Sequence, residues 1–271
     1  MKTNMKAVLT ALAITASGAY AEETIVMDGS TTVGPIAKAF AEYYMKNNPG
    51  VNITVGESGS GNGAKSLING TCQIGNMSRA MKDTEMEAAA SKKVSPVDHI
   101  VAMDGLSAIV HPSNPIKGLT KAELKQIYNG EITNWKQLGG PDLKIVVISR
   151  DTNSGTYETW ETLVMKADRI TDRAEYVGSN GAIRQRVMST PNAIGYVGLA
   201  FTEGVKSLPI NDVEPTPETV LDGSYPIARP LHMYTNGEPA EGTHVAKLVN
   251  LYKTDEGRKL IEETGFVPLK N

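Results

Sequence analysis

Short apolar runs alternate with helical patterns along most of the chain. The runs predict strands at residues 24–27, 51–55, 97–103, 106–111, 144–148, 193–197 and 228–233. Helices are predicted behind Pro35, near residues 64–68, over 120–128 with Thr120 as N-cap, from Ser154, over 181–188 and through most of 242–266. Strands that alternate with helices indicate an α/β fold with parallel pairing, and Asp104-Gly105 predicts a break between the third and fourth strands.

The first 21 residues have the pattern of a secretory signal peptide. Lys2 and Lys6 precede an apolar run over residues 7–16, which is too short to span a bilayer. Ala19-Tyr20-Ala21 then supplies the small residues that a signal peptidase recognises. We therefore expect cleavage after Ala21 and export of the mature chain; the alternative is a buried N-terminal helix.

Composition excludes several classes of protein. With 40% apolar and 21% charged residues the chain has a globular rather than a disordered composition. A net charge of -3 argues against a strongly basic nucleic-acid-binding protein. The single cysteine, Cys72, excludes an intramolecular disulfide and any multi-cysteine metal site. No apolar stretch after the signal peptide is long enough to span a membrane, so we expect a soluble mature protein.

Three segments share one design, in which a strand is followed by hydroxyl and glycine residues and then by a helix. They are residues 29–35 (GSTTVGP), 58–63 (SGSGNG) and 149–156 (SRDTNSGT). Each places free backbone N–H groups and neutral hydroxyls at a helix N-terminus, where the helix dipole favours an anion. Helix capping alone explains any one segment, but three of them, one with Arg150, indicate convergence on a single anion.

The second segment is close to a nucleotide-binding P-loop. Gly59 is followed after four residues by Ala64-Lys65-Ser66, so that an alanine stands where the P-loop has a glycine. Without a second acidic strand to hold a metal ion, and in an exported protein, this departure argues against an NTPase.

Five passages resemble the PstS-type phosphate-binding proteins, the periplasmic receptors of phosphate ABC transporters. They are residues 29–35, 59–65 (GSGNGAK), 130–135 (GEITNW), 150–156 and 191–198 (PNAIGYVG). The resemblance implies a type II periplasmic-binding fold, with two α/β lobes joined by two crossover strands and the ligand in the cleft. Lobe 1 would comprise residues 22–105 plus 229–271, and lobe 2 would comprise residues 106–228.

The resemblance also implies a set of phosphate ligands, carried over position by position. They are Thr31 and Thr32 in the first segment, Ser60 in the second, and Arg150, Ser154, Gly155 and Thr156 in the third. Ser30 is a hydroxyl where some relatives have an apolar residue, and it is an additional candidate donor.

One position departs from the family pattern. Ser78 stands where some relatives have an aspartate that accepts the proton of HPO4²⁻ and repels fully ionised sulfate. A hydroxyl can accept the same hydrogen bond but lacks the charge that rejects sulfate. Arg79, the next residue, is either a second cation at the cleft or a surface arginine.

The sequence thus predicts a monomeric periplasmic protein that captures inorganic phosphate and delivers it to a membrane ABC permease. We expect no catalytic residues, no cofactor, no resident metal and no nucleic-acid partner. A binding protein for sulfate, molybdate or tungstate is the alternative that Ser78 keeps open. A secreted phosphohydrolase is the enzymatic alternative, and the chain shows no metal cluster or paired nucleophile and base that would support it.

Overall fold

The computed structural model describes residues 23–166 and 168–270. The predicted signal peptide, residues 1–21, lies outside the described residues. Within them, the strands are β1 (Glu23–Gly29), β2 (Val51–Gly56), β3 (Ile74–Met77), β4 (Pro96–Val110), β5 (Val146–Arg150), β6 (Glu175–Val177), β7 (Ala193–Gly198), β8 (Lys206–Leu208) and β9 (Ala228–Asn236).

Helices follow most of these strands. They are α1 (Gly34–Asn47), α2 (Ser60–Ile68), α3 (Asp83–Ser91), α4 (Lys121–Asn129), α5 (Gly155–Trp160), α6 (Asn180–Met188), α7 (Pro217–Leu221), α8 (His244–Val249) and α9 (Asp255–Glu263). A π-helical turn, Glu161–Met165, continues α5. The predicted caps are confirmed, because Thr120 Oγ1 accepts a hydrogen bond from the Glu123 backbone N–H and Ser154 Oγ accepts one from that of Tyr157. The α/β class is therefore confirmed.

The strands form one continuous sheet in the order β2-β1-β3-β9-β4-β7-β5-β6, with β8 paired to β4. The predicted parallel pairing is present in two parts of the sheet: β1 pairs parallel with β2 and β3, and β5 pairs parallel with β6 and β7. The prediction is wrong for β4 and β9, which run antiparallel to each other and to the strands beside them. These two strands join the part of the sheet formed by β1, β2 and β3 to the part formed by β5, β6 and β7.

The predicted break at Asp104-Gly105 is also wrong, because β4 continues through it. Pro96 to Gly105 pair with β9, and Leu106 to Val110 pair with β7. An Asp-Gly pair favours a turn in isolation. Here the Asp104 carboxylate is instead held by Arg229 on the adjacent strand at 2.9 Å.

The core is divided into two main clusters. One surrounds α1 and includes Phe40 and Met233, and the other surrounds α4 and includes both Trp135 and Trp160, which are fully buried. Both tryptophans therefore belong to the core. The lobe boundaries at 105/106 and 228/229 stay a prediction, supported by the end of the β4–β9 ladder at Gly105 and Ala228.

Candidate anion-binding site

The first predicted segment forms the turn between β1 and α1. Gly29 lies at φ 133°, and a Cβ there would come within 2.2 Å of the Asn76 carbonyl oxygen, so only glycine fits. Ser30 Oγ accepts hydrogen bonds from the backbone N–H groups of Thr32 (3.1 Å) and Val33 (3.3 Å). Its own proton remains free to be donated. Ser30, Thr31 and Thr32 are all buried.

The second and third segments meet at Gly155. Ser60, the first residue of α2, lies 3.3 Å from Ser78 between the hydroxyl oxygens, and its oxygen accepts a hydrogen bond from the Ser78 backbone N–H at 3.1 Å. A Cβ on Gly155 would lie 2.6 Å from Ser60 Oγ and 2.7 Å from Ser78 Oγ. Because glycine has no side chain, the start of α5 can approach both serines at Gly155.

The third segment also reaches the first. The hydroxyl oxygens of Thr156 and Thr32 lie 2.9 Å apart. The Asn153 carbonyl oxygen accepts a hydrogen bond from the Gly61 backbone N–H at 3.0 Å, which ties the second segment to the third. Contacts within the described residues thus bring together Thr32, Ser60, Ser78, Gly155 and Thr156, all predicted from the sequence.

Arg150 lies at the end of β5 and is 1% exposed. Its Nε donates to the Val177 carbonyl at 3.2 Å and its Nη2 to the Gly178 carbonyl at 2.8 Å. Its Nη1 is buried and has no partner in the described part of the chain. Burial lowers the pKa of Arg150 to about 10, so the guanidinium keeps its charge at neutral pH. The third segment therefore carries a buried cation with one N–H group left to donate.

Arg79 has a different environment. Its guanidinium makes two hydrogen bonds to Glu85, of 2.7 and 2.8 Å, and an ion pair with Glu158 on α5. Burial acts to lower the pKa of Arg79, but the two carboxylates outweigh it and raise the pKa. Its charge is already neutralised, unlike that of Arg150.

Two buried residues that the sequence analysis missed lie against this cluster. Arg229 on β9 forms a buried ion pair with Asp104 and donates to Thr156 Oγ1 (3.0 Å), Thr32 Oγ1 (3.4 Å) and the Ser78 carbonyl (3.0 Å). Burial lowers the pKa of Arg229 and raises that of Asp104, while each charge opposes the shift of the other.

The second missed residue is Asn180, the first residue of α6, which donates to both Thr31 and Thr32. A sequence signal for it existed, since Gly178-Ser179-Asn180-Gly181 follows a strand and opens a helix, as the three recognised segments do. The position of Arg229 depends on the register between β4 and β9, which a single sequence does not reveal.

The described residues contain neither a candidate metal-binding cluster nor a membrane-spanning helix. Across residues 23–166 and 168–270, no three His, Cys, Asp or Glu side chains form a group that could hold a metal ion. The same ranges contain no helix with the length and apolar character needed to cross a membrane.

Comparison with known proteins identifies the family. Residues 15–252 match the PBP superfamily domain. The phosphate-binding protein PstS of Borreliella burgdorferi is 34% identical over 261 residues, which are 92% of this chain and 91% of that protein. PstS of Bacillus subtilis is 34% identical over 255 residues, which are 92% of this chain and 82% of that protein.

A crystal structure from Clostridium perfringens shares the fold with a TM-score of 0.85 and 34% sequence identity, and the match covers 92% of this chain and all of that one. That protein is described as a phosphate ABC transporter substrate-binding protein, and its structure contains bound phosphate. The chain has the type II periplasmic-binding fold and belongs to the PBP superfamily, within the family of PstS-type phosphate-binding proteins.

Proposed function

We propose that this protein captures inorganic phosphate between its two lobes and delivers it to the permease of an ABC transporter. One observation carries the proposal: three loop segments from both halves of the sheet place buried neutral hydroxyls together, and the third segment also carries the buried, partly unpartnered guanidinium of Arg150. Relatives named for phosphate binding, and a phosphate-containing structure at 34% identity, support phosphate as the ligand.

The proposed ligand set follows from which donors have capacity left. Thr31, Ser60 and Ser154 would donate hydroxyl protons, the bonded pair of Thr32 and Thr156 would donate one more, and Arg150 Nη1 would supply the charge-assisted bond. Ser30 would contribute through its hydroxyl and Gly155 through its backbone N–H. We leave Arg79 outside this set, because Glu85 and Glu158 already neutralise its charge.

Ser78 is the position at which the site would accept the ligand's proton. Its hydroxyl oxygen contacts only that of Ser60 among the described side chains, so it is able to donate or accept. A binding protein for sulfate, molybdate or tungstate remains the second candidate, because Ser78 adds no charge to repel a fully ionised anion.

The proposal includes export and lobe closure. The protein would act as a periplasmic monomer after cleavage at Ala21, without catalysing a reaction. Residues 22–105 with 229–271 and residues 106–228 would be the lobes, and β4 and β9 the strands between them. Separation of the lobes would admit the anion, and closure would bury it.

Isothermal titration tests the proposal. The mature chain is titrated with phosphate, sulfate, molybdate and tungstate at two pH values, with Arg150→Ala as the control variant. We expect tight binding of phosphate that Arg150→Ala weakens about 30-fold or more. Preference for another anion would contradict phosphate but keep the anion site, and hydrolysis of a phosphate monoester in the presence of added divalent metals would contradict a purely binding role.

A further inference from the structure

Asn180 connects the two halves of the candidate site. It is fully buried at the start of α6, in the middle part of the chain. Its Nδ2 lies 3.1 Å from Thr31 Oγ1 and 2.9 Å from Thr32 Oγ1, both in the turn that follows β1. One amide group thus spans the proposed cleft and contacts two of the proposed phosphate ligands.

The orientation of this amide is fixed by its other end. Asn180 Oδ1 accepts a hydrogen bond from the Gly198 backbone N–H at 3.3 Å. A flipped amide would turn its NH2 group toward that N–H, placing two donors face to face. The NH2 group therefore faces the threonines, with one N–H for each hydroxyl.

A hydroxyl that accepts a fixed N–H donor must direct its own proton elsewhere. Thr31 accepts from Asn180, so its proton is left for another acceptor. Thr32 and Thr156 contact each other at 2.9 Å and also receive N–H groups from Asn180 and Arg229. One proton of that pair is then used between the two hydroxyls and the other points away.

We infer that Asn180 is a positioning residue that turns Thr31, and one hydroxyl of the Thr32–Thr156 pair, into hydrogen-bond donors toward the bound anion when the lobes meet. This inference rests on the proposed function, since it concerns how the same site selects an anion. A hydroxyl that is free to rotate can present either a proton or a lone pair, and only the proton stabilises a dianion. By donating to the threonine hydroxyl oxygens, Asn180 keeps their protons from pointing toward it and so restricts the direction of these protons.

The Ser60–Ser78 pair is the natural control within the same site. Among the described contacts, no side-chain amide or guanidinium donates to the hydroxyl oxygen of Ser60 or of Ser78. The N–H group that donates to the pair there is the Ser78 backbone N–H, and its acceptor is Ser60 Oγ. Among the described hydrogen bonds, none joins Asn180 to this pair. A change at Asn180 should therefore alter the contribution of Thr31 and leave that of Ser78 unaltered.

The test is a double-mutant cycle on the full mature chain, with inorganic phosphate as the titrant. In Asn180→Asp the carboxylate accepts protons from Thr31 and Thr32, which reverses their hydroxyls while the side-chain volume is kept. Thr31→Val should raise the Kd for phosphate about 10-fold or more in the wild-type background. In the Asn180→Asp background it should raise the Kd less than about 3-fold, because the hydroxyl no longer donates to the anion.

The matched cycle pairs Asn180→Asp with Ser78→Ala, whose effects on the Kd should multiply. Simple charge repulsion or loss of packing at residue 180 predicts multiplication in both cycles, and that result would overturn the inference. If Asn180→Asp lacks cooperative thermal unfolding, Asn180→Ala replaces it in both cycles. Thr31 then rotates freely rather than being reversed, so Thr31→Val should raise the Kd by a smaller factor than in the wild-type background, while the factor for Ser78→Ala should stay the same. Absence of phosphate binding by the wild-type protein would instead overturn the proposed function, and the inference with it.

Discussion

Arg229 and Asp104 face each other directly across the β4–β9 ladder and form a buried ion pair, with Nη2 and Nε of the arginine 2.9 and 3.1 Å from one carboxylate oxygen. The other carboxylate oxygen accepts the Leu199 backbone N–H at 3.0 Å. Because Arg229 also donates to Thr156 and to the Ser78 carbonyl, this pair links the connecting strands to the candidate site.

Asp104→Asn tests the importance of this ion pair for stability. Removing one partner of a buried pair leaves the other charge uncompensated, which costs about 3–5 kcal/mol. We expect that loss in the free energy of unfolding, measured by urea denaturation with tryptophan fluorescence. Asp142→Asn is the control, because Asp142 pairs with Lys136 on the exposed surface at 3.2 Å and its loss should leave stability nearly unchanged. Equal effects of the two changes would contradict the expectation.

Arg150→Ala should weaken phosphate binding far more than Lys65→Ala. Arg150 is a buried cation with an unpartnered Nη1, whereas Lys65 is exposed on α2. Truncating a buried partner of a charged ligand costs about 2–5 kcal/mol, or about 30-fold or more in Kd. Titration calorimetry of both variants measures the difference. Similar losses would mean that the second segment carries the charge.

Ser154→Ala separates helix capping from ligand binding. Ser154 Oγ caps α5, so its loss should reduce the free energy of unfolding by about 1 kcal/mol. It should also remove a donor to the anion, at about 1.5–3 kcal/mol of binding. Thr120→Ala removes the matching cap of α4, a helix that contributes none of the predicted ligands. It should lower stability equally and leave the Kd for phosphate unchanged; an unchanged Kd in Ser154→Ala would show that Ser154 is a cap alone.

The sequence predicted the local parts of the site and missed the long-range parts. Ser154 and Thr31 are candidate ligands because hydroxyl and glycine residues before a helix carry a local signal. Asp104-Gly105 predicts a break between two strands because this pair of residues favours turns, whereas the partner of Asp104 in the structure is 125 positions away. Arg229 was missed for the same reason, since pairing between β4 and β9 depends on tertiary register. Local chemistry is visible in one sequence, whereas the pairing of distant strands is not.

Glu158→Gln tests an ionic contact across the proposed cleft. Glu158 on α5 pairs with Arg79 and, at 3.1 Å, with Lys82, both near the start of α3. If the lobes separate to admit phosphate, this contact forms only on closure and favours the bound state. We expect a loss of about 1 kcal/mol, or about fivefold in Kd, by titration.

The control for Glu158 is Glu175→Gln. Glu175 pairs with Arg186 at 2.7 Å, and both residues lie within the predicted lobe 2. That pair does not change when the lobes separate, so the Kd for phosphate should stay the same. A loss of affinity in both variants, or in neither, would argue against a closure contact at Glu158.

Ser78→Asp should sharpen the preference for phosphate over sulfate. At neutral pH phosphate keeps one proton and sulfate keeps none, so a fixed acceptor favours phosphate. Ser78 Oγ is able to accept that proton while it donates to Ser60 at 3.3 Å, but it is equally able to rotate and donate to sulfate. An ionised carboxylate would face sulfate as charge against charge, and Arg150 alone would not offset that repulsion.

We therefore expect the wild-type protein to prefer phosphate by a modest factor, and Ser78→Asp to bind sulfate more weakly while it retains phosphate. Competition titration of both proteins with the two anions measures the ratio of Kd values. Ser78→Ala is the control, because it removes the acceptor and should reduce the preference. If the wild-type protein already excludes sulfate, another residue supplies the acceptor and the placement of Ser78 is wrong. If it prefers sulfate, phosphate is not the ligand, although the buried hydroxyls and Arg150 would still form an anion site.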